Sequence, residues 1–134
     1  MSTIVVLDDD KPLIMAEELS FRAIALDSVT MVREPFSLSN IFNFSSDHRT
    51  RIMLFATGID LLPGESISSV QVQLEDRDHH LYPLVVESIL PLPNLPFSQI
   101  VVKLPDSIAV EGDHQISLTF HGTTSNKPLM SIVR

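Results

Sequence analysis

The sequence predicts an all-β fold, an antiparallel sandwich of about seven to nine strands. Three observations carry this: an alternating hairpin at the C-terminus, turn clusters at short intervals, and no convincing helical period. In Gln115–Phe120, Ile116, Leu118 and Phe120 fall on one face, with Gln115, Ser117 and Thr119 on the other. Gly122–Asn126 supplies turn residues, and Leu129–Val133 starts a second extended run. Strict period-two alternation around a turn is the signature of half-buried antiparallel strands.

From the N-terminus, residues 1–19 differ from the rest and read as a leader or an extra edge strand, with residues 20–134 as the sandwich domain. Ile4–Leu7 is a short β-prone run, followed by the turn-like Asp8-Asp9-Asp10-Lys11-Pro12. Phe21–Arg33 alternates as a strand with a kink near Asp27-Ser28, and Pro35 ends it because proline cannot donate to a ladder. Residues 37–48 read as a loop anchored by Phe36, Phe42 and Phe44. Arg51–Thr57 is the most apolar run and is expected to be a central strand. Pro63-Gly64 marks the next turn, and Val70–Glu75 alternates again. Asp76–His80 turns the chain into Leu81–Leu90, and Pro91, Pro93 and Pro96 make a loop. Gln99–Leu104 is a strand stopped by Pro105, and Glu111-Gly112-Asp113 is read as the turn into the closing hairpin. Single helical turns fit only Leu13–Leu19 and Asp106–Val110. The predicted core is Ile52, Leu54, Val72, Leu74, Val86, Val101, Ile116, Leu118 and Phe120. The strand count and short turns give an immunoglobulin-like layout.

Nine Lys and Arg against seventeen Asp and Glu give a net charge of −8 without a basic stripe, so nucleic acid and anionic lipid are poor partners. With no cysteine, neither a disulfide nor a thiolate site can form. No run approaches the roughly 18 apolar residues of a membrane span, so no membrane insertion is expected. Ile4–Leu7 is too short for a signal-peptide core, so an exported form would need a signal ahead of it or a larger parent chain.

Four stretches carry a family resemblance: Thr50–Leu61, Ser69–Leu74, Gln99–Asp106 and Gly112–Ile132, whose turn reads Gly122-Thr123-Thr124-Ser125-Asn126. Their order is similar to that of bacterial immunoglobulin-like modules of the TIG type. With Arg22–Thr30, the chain also resembles uncharacterised modules in large secreted proteins of soil bacteria. The resemblance implies a non-catalytic structural or interaction module, a spacer, docking or adhesion element, in an extracellular or cell-surface setting. It implies no catalytic residues and no cofactor, because fold does not fix function. Residues 1–19 depart from the pattern, since a short module of this kind would not need them.

Candidate chemistry is sparse. Asp76, Asp78, His79 and His80 offer hard and borderline ligands for a divalent cation, as do Asp8, Asp9 and Asp10 for calcium. Adjacent histidines on an extended segment point to opposite sides, and a solvated hairpin tip is the plainer reading. Ser45-Ser46-Asp47-His48 contains the residue types of a nucleophilic triad, but sequence adjacency supplies no oxyanion hole, and loop capping accounts for it. The paired carboxylates of Glu75, Asp76 and Asp78 carry no sign of burial, and a chain with no Trp and one Tyr makes a poor sugar platform. The chain is therefore read as not an enzyme. Partner-contact candidates are Ile4, Val5 and Val6, as an edge strand reaching a second copy, and Phe36, Phe42 and Phe44 on their loop. The loop aromatics either cover one end of the sandwich or present a patch, and covering is the favoured role. The expected partners are proteins or neighbouring domains of the same chain, or a second copy joined through edge strands. The edge-strand role is open to a direct check: a chain lacking residues 1–19 is expected to show weaker association or lower stability. Unchanged mass by light scattering together with unchanged melting would refute it.

Overall fold

The computed structural model describes residues 11–133, and the fold is all-β. Its strands are β1 (Leu13–Ile14), β2 (Ala25–Asp27), β3 (Phe36–Ser37), β4 (Arg51–Thr57), β5 (Val70–Glu75), β6 (Leu81–Pro91), β7 (Ser98–Lys103), β8 (Gly112–Phe120), β9 (Thr123–Thr124) and β10 (Leu129–Val133). They pair in the order β1-β4-β7-β6-β5-β8-β10-β3, a curled half-barrel, with β2 also on β4 and β9 on β8. All named pairs are antiparallel except β10 with β3. The parallel pairing of β10, with β3 and at the Arg22–Leu129 bridge, departs from the purely antiparallel sheet expected. It arises because the chain climbs beside β10 before crossing to β4. The calcium candidates Asp8, Asp9 and Asp10, and contact candidates Ile4, Val5 and Val6, lie outside the described residues. No helix among the described residues is long and apolar enough to cross a membrane.

β6 joins the two halves. Leu81 to Leu84 pair with β5, whereas Val85 to Pro91 pair with β7, across a bulge between Val86 and Ser88. An inserted residue in one strand sharpens the local twist, which suits a strand leaving one half of a sheet for the other.

The segment between β1 and β3 ties the ends of this path together. β1 and β2 lie on the edge of β4, while on β10 Leu129 O accepts from Ala23 N–H and Leu129 N–H donates to Phe21 O. The Asn126 carboxamide accepts from Ile14 N–H at 2.8 Å and donates back to Ile14 O at 2.9 Å, as a neighbouring strand would. Glu34 receives the Arg22 guanidinium and the Ser131 N–H, and Arg22 also reaches Asp113 at 2.9 Å. The outer edge of β10 is thus covered by side chains and by the two residues of β3, a recognised way to blunt a sheet edge.

The core follows the alternation. Ile52, Leu54, Val72, Leu74, Ile116, Leu118 and Phe120 are buried as expected, and Val86 packs against them half-buried. Val101 does not. Ile100 and Val102 take the core face of β7, with Leu104 buried just after it, one residue out of phase with the expectation. The run Ile100-Val101-Val102 is apolar on both faces, so only Gln99 and Lys103, on the outer side, mark its phase.

Other departures have local causes. The expected strand Phe21–Arg33 shrinks to β2 because Asp27 Oδ1 accepts from the N–H groups of Val29 and Thr30 and turns the chain. The expected turn at Gly112 is instead the start of β8, recruited by Ile132 and Ser131 of the long β10. No helical turn forms at Leu13, which begins β1 against Thr57.

Two substitutions test this packing. Ile100→Ala is expected to cost about 2–5 kcal/mol in urea unfolding, while Val101→Ala costs well under half of that; equal losses would place the phase wrongly. Gly58→Ala is expected to destabilise, since φ is +75° and a Cβ would sit 2.6 Å from Lys11 O, lifting the β1 segment. A melting temperature unchanged by that substitution would show that this segment is not held there.

Candidate functional site

Residues 39–49 form a loop at one end of the half-barrel, braced by its own side chains and by backbone bonds across it. Asn40 Oδ1 accepts from Phe42 N–H, and Asn40 N–H donates to His48 O, each at 2.9 Å. Asn43, itself buried, accepts from Ser45 N–H at 3.0 Å, and the His48 ring donates from Nδ1 to Asn43 O at 2.7 Å. Asn and Ser favour such local bonds over a ladder, and here they turn the polar residues inward. The apolar ones are left outside. Ile41 is 79% exposed, Phe42 57% and Phe44 88%.

Arg51 fixes the loop to the sheet. Its guanidinium donates to Ser45 Oγ, Asp47 Oδ1 and Arg49 O at 2.6–2.8 Å, and through two further N–H groups to Glu87 on β6. The Arg51 bond, and then the Arg49 N–H, hold the Asp47 carboxyl far below the usual range. Ser45 Oγ lies 2.6 Å from Asn43 Oδ1 and 3.0 Å from Asp47 Oδ1, whereas the His48 ring meets Asn43 O. Ser45, Asp47 and His48 therefore cap the loop, and no Ser–His bond joins them into a relay.

Phe36 stands apart from its two neighbours. At 3% exposure it is a core residue, which corrects its place among the contact candidates. Its partner in β10, Ile132, is buried with it. Beside it, a cleft of about 470 Å³ separates the loop from the turn after β2, with Val32, Pro35, Ile41 and Phe42 among its walls. Met31 and Val32, both more than half exposed, widen the apolar surface across that cleft. No period in Phe21–Arg33 signals this; the Asp-Ser-Val-Thr turn at Asp27 is the only cue.

The second cluster is the turn between β5 and β6. Asp76 is buried, contrary to a simple solvated tip, because Tyr82 draws it inward. Asp76 Oδ1 accepts from the N–H groups of Asp78 and His80 at 2.9 Å. Asp76 Oδ2 accepts from Tyr82 OH at 2.8 Å and from the His80 ring at 3.2 Å. Desolvation raises its carboxyl pKa, but bonds from His80 N–H, Tyr82 OH and Asp78 N–H outweigh it and hold the value at about 2. His79 turns away to Glu75 at 2.8 Å, and that bond raises its own pKa. Asp76, Asp78 and His80 each offer one ligand atom within 4.8 Å of the others. His79 is not part of that group.

No family model matches the chain, and no curated protein or solved structure shows detectable similarity to it. What the surface can do is therefore read from its geometry. The braced loop presents apolar area at a fixed angle, and the Asp76 knot fixes a turn.

The pKa of Asp76 makes that knot testable. A carboxyl depressed from 3.8 to about 2 contributes stability that is present above about pH 4 and lost as pH falls towards 2. Asp76→Asn is expected to lower the melting temperature at pH 7, with the gap to the native chain closing between about pH 4 and pH 2. A gap that stays constant across that range would contradict the assignment.

Proposed function

We propose that the protein is a non-catalytic interaction module, immunoglobulin-like in layout, that docks a protein partner on the loop of residues 39–49. The observation that carries this reading is the exposure of Ile41, Phe42 and Phe44 on a loop whose backbone is already fixed by hydrogen bonds. Full burial of a large apolar side chain contributes about 1.5–3 kcal/mol, so three of them make an anchor of useful size. A pre-ordered loop loses little entropy on binding, which leaves more of that energy as affinity. The setting that goes with this function is a secreted or cell-surface protein, in which the module serves as a docking, adhesion or spacer element. Its support is the TIG-type resemblance of the sequence. A second copy joined through strand edges is the weaker form of the reading, because the outer edge of β10 is already occupied by Arg22, Glu34 and β3.

A second reading is a divalent-cation-dependent binding module using the acidic turn. It is supported by the approach of Asp76, Asp78 and His80. Against it, all the acceptor positions of Asp76 are filled by Tyr82, Asp78 and His80, and a cation would have to displace them. Zinc or calcium titrated into the protein would give heat and a raised melting temperature if this reading holds, and neither if it fails.

The docking reading is tested by selecting displayed random peptides on the immobilised full chain. Enriched peptides are expected to lose at least tenfold in affinity for the double variant Phe42→Ser, Phe44→Ser. That variant should melt close to the native chain, since neither side chain lies in the core. Peptides that bind both chains equally, or no enrichment at all, would sink the proposal.

A further inference from the structure

The cleft beside the loop holds two polar groups whose bonding capacity the fold leaves unused. Thr50 is 1% exposed and forms part of the lining, and its buried Oγ1 has no hydrogen-bond partner among the described residues. Buried hydroxyls are nearly always bonded, so an unmet one points to a missing partner. Asp27 lines the same cleft and is 7% exposed. Its Oδ1 accepts from two backbone N–H groups, whereas Oδ2 receives only the Asn40 amide at 3.3 Å. A carboxylate accepts about four such bonds, so one position on Oδ2 is open. No lysine, arginine or histidine side chain bonds Asp27 among the described residues. A buried carboxylate without a cation is costly unless something else supplies the charge.

Among the described residues, the one cation on the cleft wall is already engaged: Arg33 reaches Glu17 at 3.3 Å. The remaining wall is largely apolar, with Val32, Pro35, Ile41 and Phe42. A ligand that fits has an apolar stem and a compact positive head.

We propose that the cleft receives a lysine side chain of the protein partner, its methylenes against Val32, Ile41 and Phe42 and its ammonium between Asp27 Oδ2 and Thr50 Oγ1. This rests on the docking reading above and names what the partner brings to it. Lysine suits the site better than arginine, because the guanidinium fork seeks both oxygens of a carboxylate and Oδ1 is taken. The ammonium has three donors, enough for the open acceptor on Asp27 and for the Thr50 hydroxyl. A net charge of −8 draws a basic partner towards the surface before contact.

The test is titration of the isotope-labelled full chain with two tripeptide probes, followed by amide NMR. One probe is acetyl-Leu-Lys-Leu-amide and the other replaces lysine by norleucine, which keeps the methylenes and removes the charge. The lysine probe is expected to shift the amides of Val29, Thr30 and Phe42 saturably, with at least tenfold higher affinity than the norleucine probe. Asp27→Asn is expected to erase that difference, and its own spectrum reports whether it is folded. Should that variant not fold, the comparison of the two probes on the native chain still decides. Equal affinity for both probes overturns the lysine site while leaving apolar docking in place. Shifts confined to other regions, or none with either probe, overturn the assignment of the cleft itself, and the docking reading then stands or falls by the peptide selection alone.

Discussion

The architecture depends on a single strand that serves two halves of one sheet. β6 gives its first four residues to β5 and the rest to β7, so neither half can slip in register without dragging the other. The inserted residue at Glu87 switches which side chains face inward: Tyr82, Leu84 and Val86 before it, Ile89 after it. A one-residue slip in a strand turns its whole apolar set to the opposite face, so this switch fixes the pairing of both neighbours at once. Where β6 leaves β5, a cleft of about 550 Å³ opens between Ile67, Val70, Leu84 and Val86, a direct geometric result of the same divergence.

The long strands were legible in the sequence from alternation or, for β4, from a run of apolar residues that leaves none exposed. β4, β5 and β10 match the expected runs, and β6 and β7 differ at their ends, with the inward phase of β7 misplaced at Val101. β1, β2 and β3 were not, since strands of two or three residues are defined by the partner they meet rather than by any period of their own. The loop illustrates the same limit. Phe36, Phe42 and Phe44 look alike in sequence, yet one is in the core and two are in solvent. What separates them is Asn40 and Asn43, whose carboxamides fold the intervening chain back on itself. The turn at Asp76 was read as wet because Asp and His usually are. Tyr82, six residues on, reverses that by bringing a hydroxyl to the carboxylate inside the barrel wall.

The acidic composition conceals how the few cations are spent. Arg22 and Arg51 each serve two carboxylates and hold together segments far apart in sequence. Arg22 joins the entry to β2 with Glu34 and with Asp113 of β8, and its pKa is raised by the bond to Glu34 and then by that to Asp113. Arg51 joins the exposed loop to Glu87, the bulged residue of the shared strand. The orientation of the apolar loop and the geometry of β6 are therefore mechanically linked through one guanidinium. Planar arginine makes five bonds here, to both carboxylates, to Ser45 and to Arg49 O, more than the three donors of a lysine could supply.

The clasp between Ile14 and Asn126 spans 112 positions, and that between Glu34 and Ser131 spans 97. Contacts so distant along the chain close late, because the entropy of the intervening loop must be lost before they form. During synthesis β1 and β2 can meet β4 early, whereas their bonds to Asn126 and Leu129, like that of Glu34 to Ser131, wait for the residues around β10. The half-barrel can gather around β4 to β8 first, but its seam is sewn only once β10 is in place.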